Sequence, residues 1–365
     1  MDISAAAAKL GIEEKYLRQR IRHGISAVTC GKTKYLAFRK ELHHIEKGTV
    51  IFDNNEIIRG VPKIRRILYL KSGLTVKFPK GFHIEEKIDG YNVRVAKVGE
   101  EVYAITRGGL ICPFSTDLAT AKTASFFREN DLVLCGEIAG PLNPHVTHDY
   151  PEVKNAELFI FDIRQKESGK PVKFSEKRRL SETHGLKMVP YLGSFKPNEL
   201  GKVYSLIKKL DGQNREGMVF KTEDMSEQAK YIFPRANISD VSSAFHFPFE
   251  YGHDFFFRRL IREGFQSYEF DRTQSERDAR ALRIGKAVLE PMLESINNVA
   301  SGKRLTEDTT VEADPDVLAE FAEHLEHLGI DSEKEISGNR LTIRKRFIST
   351  QDRIKNFLNG EYASD

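Results

Sequence analysis

The sequence predicts an α+β protein: a central region built on antiparallel sheets with flanking helices, followed by a largely helical C-terminal part. Two observations carry this. Between about residues 80 and 245, short runs rich in β-branched and aromatic residues alternate with Gly and Pro, the punctuation of strands joined by turns. Beyond residue 250 the apolar residues recur at helical spacing instead. A chain of 365 residues can bury several cores. Four units are expected, over residues 1–68, 69–248, 249–310 and 311–365.

Taken in order, Ala6-Ala7-Ala8-Lys9-Leu10-Gly11-Ile12 and Tyr16-Leu17-Arg18-Gln19-Arg20-Ile21-Arg22 place apolar residues at helical spacing around a glycine turn. Such a pair either presents a basic helix to nucleic acid or packs on the neighbouring domain. Packing is the expectation, since nothing else marks a recognition surface. Next, Lys87-Ile88-Asp89-Gly90-Tyr91-Asn92-Val93-Arg94 puts an amine at a strand-to-turn junction beside an acid, with Gly90 allowing a tight turn. Thr106-Arg107-Gly108-Gly109 follows the strand-like 101–105 and can bring an arginine to a phosphate. A helix is expected at 115–128, then an apolar strand 132–136 ending in Glu137. On the strand 158–163, Phe159 and Phe161 should share a face, one able to stack on a purine while the other walls a pocket. A second helix is expected at 197–210. Arg215-Glu216-Gly217-Met218-Val219-Phe220-Lys221 and Ala229-Lys230-Tyr231-Ile232 then add a carboxylate and two lysines.

In this order, over roughly residues 60 to 245, the segments resemble the covalent nucleotidyltransferase superfamily of ATP-dependent DNA ligases, RNA ligases and messenger-RNA capping enzymes. The resemblance implies a ligase-type nucleotidyltransferase catalytic domain over 69–248, between an N-terminal domain and helical C-terminal domains. It implies that Lys87 is the residue nucleotidylated, with Asp89, Lys221 and Lys230 as its catalytic partners. The nucleotide would be held by Glu86, Lys87, Asn92, Arg94, Arg107, Glu137, Phe161, Lys221 and Lys230, with Glu137 at the ribose and Phe161 stacked on the base. Glu137 and Glu216 would hold metal. Asn92 is similar to the RNA-ligase form of the motif, where DNA ligases and capping enzymes usually carry arginine. Arg59-Gly60-Val61-Pro62-Lys63-Ile64 resembles the lead-in of the archaeal homodimeric RNA ligases. One departure is that Lys230 is followed two positions later by Ile232, where the superfamily commonly has a second lysine; the archaeal subgroup is similar in having one.

Amine attack on the α-phosphorus of ATP builds charge on phosphoryl oxygens, so fixed cations at Lys221, Lys230 and Arg107 suit the chemistry. Those cations are expected to depress the Lys87 pKa and favour the free amine. Two carboxylates completed by phosphates and water suit Mg²⁺, with Mn²⁺ as a substitute.

Phe255, Phe256, Phe257, Leu260 and Ile261 form an aromatic-rich helical segment that needs cover. The resemblance implies that 249–310 dimerises. Val317, Phe321, Leu325 and Leu328 mark a further amphipathic helix, with Ser301-Gly302-Lys303 and the polar run 306–314 expected as the linker before it. The basic stretch 340–346 reads as a strand that tracks a phosphate backbone or is simply solvated. Helical periodicity after residue 250, rather than the short regular strands of a barrel, favours the RNA-ligase subgroup over DNA ligases.

The resemblance therefore implies an ATP-dependent RNA ligase acting on single-stranded RNA ends as a homodimer. The alternatives are a DNA ligase, a nucleotidyltransferase that stops at adenylated ends, or a dimeric nucleic-acid-binding protein without chemistry. The formal net charge of +4 is compatible with a polyanionic partner. Three dispersed cysteines, Cys30, Cys112 and Cys135, exclude a disulfide framework or a four-cysteine metal site and suit the cytoplasm. No apolar run is long enough to cross a bilayer, so no membrane partner is expected.

Overall fold

The structure is a computed structural model and describes residues 1–145 and 150–362. Helices α1 (Ile3–Leu10) and α2 (Glu14–His23) open the chain. The Asp2 carboxylate accepts the Ser4 and Ala5 N–H groups, and Gly11, at φ 70°, ends α1. The pair packs through Ala6, Ala7, Leu10 and Leu17 onto a four-stranded sheet that the sequence reading did not anticipate. Its strands are β1 (Ile25–Cys30), β2 (Thr33–Phe38), β3 (Val50–Phe52) and β4 (Ile57–Ile58), paired in that order. The other face of this sheet, through Tyr35, Val50 and Phe52, meets Ala96, Ile105 and Val133 of the central region.

The central region begins with β5 (Arg65–Arg66), α3 (Leu70–Lys77), β6 (Phe82–Lys87), β7 (Tyr91–Val98) and β8 (Glu101–Thr106). It continues through α4 (Pro113–Glu129), β9 (Leu132–Ala139), β10 (Glu157–Gln165), α5 (Phe174–Thr183) and β11 (Tyr191–Phe195). It closes with α6 (Leu200–Gly212), β12 (Gly217–Lys221), β13 (Gln228–Ile232) and α7 (Pro234–His246). One sheet has the order β10-β9-β7-β8 and is antiparallel throughout; the other has the order β11-β6-β12-β13-β5, antiparallel except for β13 with β5. The first sheet buries Val95, Leu134 and Ile160 with Phe126 of α4 and Leu180 of α5. The second buries Ile84, Met218 and Phe220 with Leu74 of α3 and Ile207 of α6.

β6 and β7 are consecutive yet lie in different sheets, so Ile88-Asp89-Gly90 is the hinge between the two layers. Gly90 is required there for close approach rather than for an unusual backbone angle. A Cβ at this position would sit 2.1 Å from the Ile138 carbonyl oxygen of β9. Gly90→Ala is expected to destabilise the fold by about 1–3 kcal/mol or more through forced separation of the sheets. Denaturant unfolding at wild-type midpoint would refute this.

The C-terminal part holds α8 (His253–Phe270), α9 (Gln274–Ala300), β14 (Thr306–Glu312), α10 (Pro315–His327), β15 (Ser332–Ser337), β16 (Arg340–Arg346) and α11 (Ile348–Leu358). Residues 306–312, expected as linker, instead form an edge strand of a sheet ordered β14-β16-β15. Its polarity misled because Val311 is the one residue of this strand that is buried. The sheet and α10 pack through Val311, Phe321 and Leu341 on Cys112 and Phe114 at the start of α4. The arginines of β16 are neutralised in place: Arg340 by Glu312, Arg344 by Asp308 at 2.8 Å, and Arg346 by Asp331. This segment is therefore not a free cationic track. Among the described residues, no helix is long and apolar enough to cross a membrane.

Candidate active site

Strand register builds the site. In one sheet Lys87 of β6 lies opposite Gly217 of β12, Glu85 opposite Val219, and Val219 opposite Lys230 of β13. In the other, Asn92 of β7 lies opposite Glu137 of β9, which lies opposite Phe159 of β10. Between the layers opens a cleft of about 140 Å³. Lys87, Asn92, Arg107, Glu137, Phe161 and Lys230 line it together with Glu86, Lys221 and the apolar Val61, Ile88, Val189 and Val219.

The Lys87 ammonium donates to Glu216 Oε2 and, at 3.4 Å, to the Ile88 carbonyl. Both side chains stay reachable, at 21% and 15% exposure. Burial disfavours the Lys87 charge, but the carboxylates of Glu216, Glu137 and Asp89 outweigh it and hold the amine above its ordinary pKa. The expected depression is thus reversed, because the charges nearest Lys87 are acidic. Burial pushes the Glu216 carboxyl up to about 8 even against the Lys87 ammonium, and raises Glu137, which Lys87 and a hydrogen bond from Asn92 partly offset. Lys230, by contrast, is brought down to about 8 by burial and by the nearby Lys87 and Arg66.

Asp89 adds its charge to this group and donates its backbone N–H to the Tyr150 hydroxyl at 2.6 Å. Glu86 lies 3.3 Å from Arg215, and burial raises its pKa. Arg107 is exposed at the rim.

Arg94, expected to hold nucleotide, does not reach the cleft. It is 1% exposed, and its guanidinium donates to the carbonyls of Arg59 and Gly48 at 2.7 Å and of Thr106 at 3.0 Å. These carbonyls need buried donors where the N-terminal sheet meets the central one, and Arg94 satisfies them. Lys221 lies at the cleft wall, but its ammonium is held by the Glu85 carboxylate at 2.7 Å and the Phe161 carbonyl at 2.5 Å. Lys177 of α5 completes this group, donating to Glu85 at 2.5 Å and to the same carbonyl at 3.1 Å. Burial and Lys221 bring Lys177 down to about 7. Glu85 was findable in the sequence, since it shares a strand face with Lys87; Lys177 sits on a helix with no local signal.

A bulge in β10 between Ile160 and Asp162 places Phe161. Leu158, Ile160 and Ile163 all enter one cluster, so the alternation slips by a residue at Phe161. Phe159 is buried beside Ile88 and Val189, whereas Phe161 is half-buried and faces the cleft.

Among the described residues, no group of three or more His, Cys, Asp or Glu side chains could hold a metal unaided. Glu137 and Glu216, both interacting with Lys87, fit a hard cation that takes its remaining ligands from phosphate and water.

The family model "RNA ligase" matches residues 80–233, and "Ligase Pab1020 C-terminal region" matches 243–361. An uncharacterized protein of Methanocaldococcus jannaschii is 37% identical, over 98% of this chain and 96% of its own. Two solved forms of an archaeal ATP-dependent RNA ligase are similar at TM-score 0.95 and 37% identity, covering 100% of both chains. A putative ATP-dependent DNA ligase from Aquifex aeolicus is similar at TM-score 0.89 and 28% identity, over 96% of this chain and 100% of that one.

Proposed function

The chain belongs to the archaeal ATP-dependent RNA ligase family, and from that premise we propose that Lys87 carries the AMP in a three-step sealing reaction. The Lys87 Nζ attacks the α-phosphorus of ATP and pyrophosphate leaves. A 5′-phosphate oxygen of RNA then takes the AMP from Lys87. In the last step the RNA 3′-hydroxyl attacks the activated phosphorus and AMP departs. The observation that carries this is the placement of Lys87 between two carboxylates at the junction of the layers, facing a cleft with Phe161 and Lys230 on its walls.

Glu216 Oε2 is the group in contact with the proton that Lys87 must lose before attack. Glu137 and Glu216 would hold Mg²⁺ or Mn²⁺, which neutralises charge developing on the phosphoryl oxygens. Lys230, without a carboxylate or carbonyl partner among the described residues, faces the cleft where phosphate charge would lie. Phe161 offers its ring to the adenine, and its backbone carbonyl is fixed by Lys177 and Lys221. Phe161→Ala is expected to raise the KM for ATP about fivefold to a hundredfold, the worth of one base stack. An unchanged KM would remove the stacking role.

The substrate is RNA with single-stranded ends, tested by sealing a 5′-phosphorylated RNA with ATP. Efficient closure of nicked duplex DNA, with no RNA product, would replace RNA by DNA. The working form is a homodimer. On α8, Phe257, Leu260, Ile261, Phe265 and Tyr268 form one exposed stripe, and on α9 Leu282, Leu289, Leu293 and Ile296 form another. Phe256, by contrast, packs within the chain, 4.4 Å from the Phe245 ring. Leu260→Asp is expected to yield monomers by light scattering at micromolar concentration, while a monomeric wild-type protein would exclude the dimer.

A further inference from the structure

Beyond Lys230 the positive charge of the cleft continues into a cluster that the chemistry above leaves unused. β5 runs parallel to β13 with Arg66 beside Lys230, and α8 brings Arg259 and Arg262 close to Arg66. Arg262 is 3% exposed; its Nε donates to the Arg258 carbonyl at 3.3 Å, and its Nη1 has no acceptor among the described residues. The Nε of Arg66 is likewise buried without an acceptor among the described residues. Carboxylates nearby are committed elsewhere. Asp240 pairs with Arg259 at 2.8 Å, while Glu263 accepts from Arg280 at 2.8 Å and Asn237 at 2.5 Å. Buried guanidinium N–H groups without acceptors are costly, and like charges gathered at low dielectric repel. Burial, with Arg66 and Arg259 alongside, brings even Arg262 down to about 10. An anion resolves both penalties at once.

We propose that Arg66 and Arg262, together with Lys230, form a phosphate-binding subsite that extends the nucleotide cleft toward α7 and α8. Guanidinium forks match the tetrahedral oxygens of a phosphate or pyrophosphate group. Arg66 is half-buried and within the field of Glu216, so it is the member that touches the ligand. Arg262, behind it, raises the local potential. Resting on the ligase reading above, two phosphates are candidates: the β,γ-phosphates of ATP and the 5′-terminal phosphate of RNA.

Arg66→Met and Arg262→Met in the full chain separate them. Labelling of the enzyme by α-labelled ATP reads the first phosphate; AMP transfer from preformed enzyme-adenylate to 5′-phosphorylated RNA reads the second. Loss of a charge-assisted contact is expected to raise the KM of the affected step about tenfold to a hundredfold. A change confined to ATP assigns the tail of ATP, a change confined to RNA assigns its terminal phosphate, and a fall in both at unchanged unfolding temperature assigns both. Arg262→Met should unfold no lower than wild type, since an unpaired buried cation has been removed. Pyrophosphate alone should raise the unfolding temperature of the wild type and not of Arg66→Met. The subsite is overturned if both steps stay within about twofold of wild type, or if both fall with lowered unfolding temperature in both variants. A wild-type protein that takes no label from ATP would defeat the ligase reading instead, and the pyrophosphate shift would still report on the subsite.

Discussion

The Lys87→Ala protein will take no label from α-labelled ATP under conditions that label the wild type fully. Among the described residues, no other lysine holds the place of Lys87 beside Glu216: Lys230 lies on β13 opposite Val219, and Lys177 and Lys221 are buried against Glu85. Losing the nucleophile removes the covalent route altogether, so the effect is abolition rather than attenuation. Supplied with RNA already adenylated at its 5′ end, the same variant should still seal, because the last step needs the cleft and not the amine. That second assay guards against misfolding. Undiminished labelling of Lys87→Ala would sink the assignment.

Glu216→Gln is expected to lower the rate of enzyme adenylylation by about a hundredfold or more, the scale of removing one electrostatic partner from a polar catalytic site. The variant should also reveal itself in pH dependence. Glu216 is the carboxylate that contributes most to holding the Lys87 ammonium. Without it the Lys87 pKa falls, and the rising limb of the adenylylation rate moves to lower pH. Stability gives an independent sign. Burial raises Glu216 from 4.5 to about 8, so the folded state favours the protonated acid. That contribution is present below the ordinary value and is lost as pH rises through about 8. Lys87, raised above 10.5, keeps its own contribution until more alkaline pH. The Glu216 contribution should therefore decline from about pH 5 to pH 8, so the stability difference between wild type and Glu216→Gln should shift against the wild type over that range. A rate profile at the wild-type position, together with parallel stability curves, would remove Glu216 from contact with Lys87.

Much of this site is legible in the sequence. The resemblance carried by Lys87, Arg107, Glu137, Phe161, Glu216 and Lys230 implied one site, and the structure brings Lys87, Arg107, Glu137, Phe161 and Lys230 to one lining, with Glu216 bonded to Lys87. Helices expected at 115–128 and 197–210 appear as α4 and α6, the latter preceded by a short turn at Pro197–Glu199. The small strands between residues 25 and 58 were not read. β4 spans only Ile57–Ile58, too short for an alternation to show.

What the sequence determined by itself was chemical identity and local form: an amine, carboxylates and an aromatic on strands whose period fixes the face each side chain takes. What tertiary structure decided was the sign and destination of each charge. Arg94 stands in the same motif as Lys87, yet it spends its donors on the backbone carbonyls of Gly48 and Arg59, beside the strands of the N-terminal sheet. Lys221 finds Glu85, Arg344 finds Asp308, and Lys87 finds Glu216 across 129 positions of chain. A local window contains neither partner of such pairs together. Electrostatic interaction falls with spatial distance and depends on burial, so whether a lysine is held charged or pushed neutral is settled only when segments remote in sequence are packed side by side.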